Sequence, residues 1–142
     1  MTSAREIMTP CVECARTTDT LTDAARKMRE LDAGSLPVCG EDDRLYGVIS
    51  DRDIVVKCLA EGRCPGASTV ESCCETRPVT IGADDPIEQA LRTMVDHHLR
   101  RLPVVDGGEL VGMISQADIA KDLSDEQIDD LVEAITSAPI DD

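Results

Sequence analysis

The feature that most constrains the fold of this chain is a pattern of ten residues that occurs twice. The first copy, residues 45–54, reads LYGVISDRDI, and the second copy, residues 110–119, reads LVGMISQADI. In each copy an apolar run containing a glycine ends at a serine, and an aspartate follows three residues later. Such a run predicts a strand that leads into a helix, with the serine at the helix N-cap. The hydroxyl, the carboxylate and the free N–H groups of that junction would suit a phosphate and a ribose.

The similarity between the two copies extends over most of the 142 residues. Both copies carry apolar residues at helical spacing followed by Leu-Pro-Val: Leu21, Ala24, Ala25, Met28 and Leu36–Val38 in the first, and Ile87, Ala90, Leu91, Met94 and Leu102–Val104 in the second. The sequence therefore predicts an α+β fold of two tandem repeats, each in the order β-α-β-β-α. We place repeat 1 at residues 1–62, a linker at 63–69, repeat 2 at 70–123, and a C-terminal amphipathic helix with a tail at 124–142.

Local signals place the elements within each repeat. The hairpin strands are predicted at Ser35–Cys39, Leu45–Ser50, Arg101–Val105 and Glu109–Ser115. A short extended piece is predicted before each long helix, at residues 11–14 and 78–81. Thr20 is expected to cap the first long helix, and Pro86 to occupy the first position of its counterpart, where a missing N–H costs little.

The tail carries a helix signal of its own. Ser124 and Gln127 fit a capping box. An apolar stripe follows, formed by Ile128, Leu131, Val132 and Ile135. Such a stripe either packs on its own domain or forms a dimer contact, and the sequence leaves both alternatives open.

Charge and composition exclude several classes of protein. The net charge is −15, which argues against binding to a nucleic-acid duplex, because a phosphate polymer requires a basic surface. Tyr46 is the one aromatic residue, so a stacking platform for single-stranded bases is not expected. No signal peptide and no bilayer-spanning apolar run is present, which predicts a cytoplasmic protein without membrane contact. The seven cysteines are expected to be reduced there.

The repeated motif, the Leu-Pro-Val strand before it and the order of elements resemble the CBS domain, the cystathionine-β-synthase domain. Two in tandem resemble a Bateman module, and the layout is similar to that of small stand-alone CBS pairs of the hypoxic-response type. The resemblance implies a disc with a pseudo-two-fold axis and two clefts between the repeats, which in such modules often hold adenine nucleotides. It also implies a homodimer, and it leaves room for an unknown protein partner.

The resemblance also implies which residues bind a ligand such as AMP, ATP or S-adenosylmethionine. The family pattern places Asp53 and Asp118 on ribose hydroxyls and Ser50 and Ser115 on phosphate. It places the basic pair Arg100 and Arg101 on phosphate, and Val79 and Thr80 beside the adenine. The first copy has Gly34 and Ser35 where the second has the two arginines, so equal occupancy of the two clefts is not expected. The alternatives are that the serines and aspartates are simply helix caps and that the arginines are surface charges paired with acidic neighbours.

Cys14 and Cys39 lie on extended pieces of the first repeat, and those strands neighbour each other in the family fold. We therefore predict a disulfide or a redox-sensitive pair, against the alternative of two buried free thiols. The second repeat has Thr80 and Val105 at these positions. Zinc is a weaker possibility, because Cys11 and Cys14 have no second Cys-x-x-Cys pair, and no metal site is predicted.

The sequence contains no recognisable nucleophile–base arrangement and no Gly-rich phosphate loop, so an enzyme is not expected. We predict a non-catalytic regulatory module that senses an adenine nucleotide or a related ligand in the cleft between the repeats. The alternative is a ligand-free stress or interaction protein, regulated through oxidation of Cys14 and Cys39.

Overall fold

The computed structural model describes residues 2–10, 13–122, 124, 126, 127, 129, 130 and 133. These residues form two compact units. The first unit comprises residues 13–78, and the second unit comprises residues 2–10 together with the described residues from 79 onward. Each unit combines helices with a sheet, which confirms the predicted α+β fold class.

The helices and strands of the described residues follow one another in this order: α1 (Ala4–Ile7), β1 (Thr9–Pro10), β2 (Ala15–Arg16), α2 (Leu21–Leu31), β3 (Ser35–Cys39), β4 (Leu45–Ser50), α3 (Asp51–Asp53), β5 (Ile81–Gly82), α4 (Ile87–His97), β6 (Arg101–Asp106), β7 (Glu109–Ser115) and α5 (Gln116–Asp122). Helix α3 continues into a π-helical segment, Ile54–Leu59. Two 3₁₀ turns follow it, at Pro65–Ala67 and Val70–Ser72.

The first unit is built on a three-stranded sheet in the order β2-β3-β4. Strand β2 runs parallel to β3, and β3 pairs with β4 in the antiparallel hairpin that the sequence predicts. Helix α2 begins where expected, because the Thr20 hydroxyl accepts the Asp23 N–H at 3.1 Å. The core of this unit is built from aliphatic side chains, one methionine and cysteines. It contains Leu21, Ala24, Met28, Leu36, Val38, Ile49, Ile54, Cys58, Val70, Cys73 and Cys74.

The second unit is built on a four-stranded sheet in the order β1-β7-β6-β5. The hairpin β6–β7 is found as predicted, with β6 one residue longer than expected. Pro86 is the N-cap of α4 rather than its first helical residue, since its backbone is extended, with φ −68° and ψ 149°. His98, directly after α4, is in the left-handed conformation, and so is Asp32 directly after α2. The core of this unit contains Ala4, Ile81, Ile87, Ala90, Met94, Leu102, Val104, Ile114 and Ile119.

The compact units are not the sequence repeats, because the N-terminal segment of each repeat packs against the repeated motif of the other. Strand β1 pairs with β7, placing Pro10 opposite Gly112. A Cβ atom on Gly112 would lie 2.7 Å from the Thr9 carbonyl oxygen, so this close approach requires glycine. Residues 70–75 likewise belong to the first unit, although the sequence repeat assigns them to the second copy.

The extended pieces before the long helices and the start of the tail are close to their predicted positions. The strand before each long helix is found at Ala15–Arg16 and at Ile81–Gly82, at or beyond the C-terminal end of the predicted extended pieces. In the tail, Ser124 and Gln127 form the predicted capping box, with the Gln127 N–H donating to the Ser124 hydroxyl at 3.2 Å. The predicted apolar stripe that follows lies outside the described residues. None of the helices in the described residues has both the length and the apolar character needed to cross a bilayer.

Candidate functional site

The serine and the aspartate of each motif form a reciprocal helix cap. The Asp53 N–H donates to the Ser50 hydroxyl, and the Ser50 N–H donates to Asp53 Oδ2, both at 3.0 Å. In the second motif the Asp118 N–H donates to the Ser115 hydroxyl at 3.1 Å, and the Ser115 N–H donates to Asp118 Oδ2 at 3.0 Å. The capping interpretation of these residues is therefore correct in both copies. It uses one carboxylate oxygen of each aspartate and leaves the other oxygen available for a different contact.

The two copies differ in the contacts of the second carboxylate oxygen, Oδ1, of the aspartate. Asp53 Oδ1 lies 3.2 Å from Lys57 Nζ, one helical turn further along the chain. Asp118 Oδ1 has no hydrogen-bond partner among the described residues, and Asp122 stands at the position that corresponds to Lys57. Lys57 was not among the predicted site residues, although its spacing of four residues from Asp53 was the signal that could have revealed it.

A cavity of about 480 Å³ opens in the second unit, where α4 ends and β6 and α5 begin. This volume lies within the range of small-molecule sites. Its polar lining comes from His98, Arg100, Arg101, Ser115 and Gln116, and its apolar lining from the end of α4. Gln116 fixes the loop before β6, since its N–H donates to the Arg100 carbonyl at 2.9 Å and its side-chain amide to the Leu99 carbonyl at 3.2 Å.

The two arginines of this cavity are not neutralised by any carboxylate of the described residues. Neither Arg100 nor Arg101 forms an ion pair with any residue that the structure describes, and both are exposed. The alternative that they are surface charges paired with acidic neighbours is thus not observed in the described part of the chain. Two free guanidinium groups beside a serine hydroxyl can hold a phosphate through charge-assisted hydrogen bonds.

The cavity brings together only part of the predicted ligand site. Arg100, Arg101 and Ser115 line it, whereas Asp118 is not part of its wall. Val79 and Thr80 are also absent from the wall, and both are half-buried just before β5.

The corresponding cavity of the first unit, about 430 Å³, has the opposite electrostatic character. Asp32 and Asp51 line it where the second cavity has His98 and Gln116. Gly34 stands in the place of Arg100, and Arg29 supplies the one basic side chain of its wall. The first copy therefore lacks the cation pair, as the sequence indicates.

Cys14 and Cys39 interact with each other in the first unit, and both are free thiols. A hydrogen bond from Cys39, assisted by the positive charges of Arg16 and Lys27, lowers the pKa of Cys14 to about 6. The same hydrogen bond, together with burial, raises the pKa of Cys39 above its ordinary range. Lys27 is held in place because its Nζ donates to the Cys14 carbonyl at 3.0 Å. This environment favours one thiolate and one thiol at neutral pH, and whether they join in a disulfide stays a prediction.

Within the described ranges, no group of three or more His, Cys, Asp or Glu side chains is placed to hold a metal ion. The remaining described cysteines are also free, and of these Cys64 alone is exposed.

The model of the CBS domain matches this chain twice, at residues 4–59 and 70–125. The chain belongs to the CBS-domain family. It is 44% identical over 137 residues to Hypoxic response protein 1 of Mycobacterium tuberculosis, and the match covers 96% of each chain. The predicted resemblance to the hypoxic-response type of CBS pair is thereby confirmed.

Solved CBS-domain structures share this fold. The crystal structure of Hypoxic Response Protein I with two coordinated zinc ions has a TM-score of 0.80 at 44% identity, covering 87% of this chain and 100% of that one. The CBS-domain pair of protein MJ0100, solved with 5-methylthioadenosine and S-adenosyl-L-methionine, has a TM-score of 0.72 at 25% identity, covering 84% of this chain and 94% of that one. Both CBS repeats of this chain thus carry a motif whose cap geometry is intact, and the second CBS repeat adds a basic cavity beside it.

Proposed function

We propose that this chain is a non-catalytic regulatory module that binds an adenine nucleotide or a related adenosine ligand at its second CBS repeat. AMP, ATP and S-adenosylmethionine are the candidates. The observation that carries the proposal is the cavity of about 480 Å³, in which Arg100 and Arg101 are free of acidic partners among the described residues. In a chain with a net charge of −15, two guanidinium groups without an ion-pair partner in the described part of the chain favour a small anion in this concave site.

The chemistry of the surrounding residues fits the parts of such a ligand. Arg100 and Arg101 would bind the phosphate, and the Ser115 hydroxyl would add a further hydrogen bond. The free oxygen of Asp118 would accept ribose hydroxyls, and Val79 with Thr80 would contact the adenine. The MJ0100 structure supports this class of ligand, since it holds two adenosine compounds.

Regulation requires that the ligand bind two states of the protein with different affinities. A second copy of the chain in a homodimer, or another protein in the cytoplasm, would respond to the favoured state. A nucleic-acid partner does not fit the net charge.

Thermal unfolding in the presence of ligand tests the proposal. Millimolar AMP, ATP or S-adenosylmethionine should raise the melting temperature, since a ligand that binds only the folded state stabilises it. The double variant Arg100→Ala, Arg101→Ala should lose this increase for the two nucleotides. Arg92→Ala is the matched control, because Arg92 is exposed on α4 but does not line the cavity. The proposal is wrong if no compound raises the melting temperature of the unmodified chain.

The second candidate function is a redox response through Cys14 and Cys39, which the hydrogen bond from the Cys39 thiol to Cys14 favours. The Cys14 thiolate would attack a low-molecular-weight disulfide, forming a mixed disulfide and releasing one thiolate. Cys39 would then lose its proton to solvent and attack the Cys14 sulfur, releasing the second thiolate. The pair is oxidised by two electrons, and the small disulfide is reduced to two thiols.

Thiol counting tests the redox function. After incubation with oxidised glutathione and removal of excess reagent, the number of titratable thiols should fall from the seven of the sequence by two. The Cys39→Ser variant should instead retain one glutathione on Cys14, which mass spectrometry detects. Retention of all seven thiols would exclude this function.

A further inference from the structure

We propose that each chain binds one nucleotide, at the second CBS repeat alone, because Lys57 occupies in the first repeat the carboxylate oxygen that a ribose would need. This inference rests on the proposed nucleotide-binding function and specifies which of the two motifs performs it. It concerns Lys57, a residue outside both motifs.

Asp53 has no free acceptor oxygen for a ligand. Its Oδ2 accepts the Ser50 N–H at 3.0 Å, and its Oδ1 lies 3.2 Å from Lys57 Nζ. Lys57 is anchored a second time, since Nζ donates to the Cys73 carbonyl at 3.4 Å. The Asp53 side chain is 18% exposed and that of Lys57 is 47% exposed, so water screens the carboxylate end of this ion pair less than it screens a fully exposed pair. A ribose that approached Asp53 would have to displace the Lys57 ammonium group from Asp53 Oδ1.

Asp118 forms the same type of helix cap with Ser115, but the residue four positions later is acidic instead of basic. Its Oδ2 accepts the Ser115 N–H at 3.0 Å, while the second oxygen has no partner in the described part of the chain. The residue one turn further is Asp122, which carries a negative charge and cannot act as a donor to a carboxylate. The carboxylate of the second repeat is therefore available to two hydroxyl donors.

The two cavities add an independent argument from charge. A phosphate in the first cavity would meet the carboxylates of Asp32 and Asp51 and a single guanidinium, that of Arg29. A phosphate in the second cavity would meet two guanidinium groups and, among the described residues of its wall, no carboxylate. Both the ribose end and the phosphate end of a nucleotide are thus favoured in the second repeat and opposed in the first.

Isothermal titration with AMP on matched variants tests this assignment. Asn retains an oxygen that accepts the cap N–H but removes the carboxylate charge, so Asp53→Asn and Asp118→Asn disturb the two caps equally. We expect one AMP per chain, a loss of affinity of about tenfold or more in Asp118→Asn, and a change below about twofold in Asp53→Asn. Thermal unfolding without ligand verifies that both variants fold.

A second experiment examines Lys57 directly, with adenosine as the probe because it carries the ribose without the phosphate. In an Asp118→Asn background, the additional change Lys57→Met should restore adenosine binding by freeing Asp53. Absence of restored binding contradicts the blocking role of Lys57.

The outcomes separate this inference from the function on which it rests. Two AMP molecules per chain, or equal losses in Asp53→Asn and Asp118→Asn, would overturn the single-site inference and leave nucleotide binding intact. Failure of the unmodified chain to bind AMP, ATP or S-adenosylmethionine at all would overturn both.

Discussion

Val48 and Glu75 exchange both of their backbone hydrogen bonds, the Val48 N–H donating at 3.0 Å and the Glu75 N–H at 2.9 Å. The pair joins β4 of the first unit to a segment that the sequence repeat assigns to the second copy. Gly47 lies beside it, and a Cβ atom at Gly47 would overlap the Glu75 carbonyl oxygen. The glycine of the motif is therefore required by the close approach of two backbones, not by a left-handed conformation.

Gly47→Ala should lower the free energy of unfolding by about 2 kcal/mol, because the added methyl group forces the backbone at Glu75 to shift. Denaturation in urea measures the loss. The control is Gly66→Ala, where the new Cβ would come no closer than 3.7 Å to its nearest neighbour, Thr22 Oγ1. Equal stability of the two variants would show that the approach of Glu75 does not require glycine.

The sequence predicted the elements that depend on neighbours along the chain. The hairpin strands Ser35–Cys39 and Leu45–Ser50 were found at their predicted bounds, because apolar composition and a polar turn specify a hairpin locally. The pairing of Glu75 with Val48 was not predicted, because a two-residue bridge between distant segments leaves no periodic signal.

The candidate site shows the same division between local and long-range information. The caps of Ser50 and Ser115 followed from the motif, and the absence of a basic pair from the first copy followed from Gly34. The second contact of Lys57, with the Cys73 carbonyl, depends on a backbone sixteen residues away and could not be inferred from the motif.

Removing the cap hydroxyl should separate stability from binding. Ser50→Ala and Ser115→Ala should each lower the free energy of unfolding by about 1 kcal/mol, since both hydroxyls accept an N–H from the third residue of the following helix. Only Ser115→Ala should also weaken AMP binding, because Ser115 lines the basic cavity. Urea denaturation and titration of the same two proteins provide the comparison. A weakened AMP affinity in Ser50→Ala to the same degree would argue against a distinct role for Ser115.

Salt should weaken the binding of AMP more than that of adenosine. The contacts that distinguish the two probes are those of the phosphate with Arg100 and Arg101, whose side chains are exposed and therefore screened by ions. We expect the AMP affinity to fall several-fold between about 20 mM and about 500 mM NaCl, where the screening length shortens from above 10 Å to a few Å. Adenosine, which has no phosphate, is the control and should change little. A parallel response of the two probes would mean that the arginines do not hold the phosphate.

The reactivity of Cys14 should depend on pH with a midpoint near 6, far below that of an ordinary thiol. Its thiolate is favoured first by the hydrogen bond from Cys39 and then by the charges of Arg16 and Lys27, which lower its pKa to about 6. A thiol with a depressed pKa loses its proton as the pH rises through that value, so the rate of alkylation by iodoacetamide should increase between about pH 5 and pH 7 and then level off. Peptide mass spectrometry assigns the rate to Cys14. Replacing Cys39 with Ala removes the largest favourable contribution and should move the midpoint upward, toward that of an ordinary thiol. An unchanged midpoint in Cys39→Ala would show that the neighbouring thiol does not stabilise the thiolate.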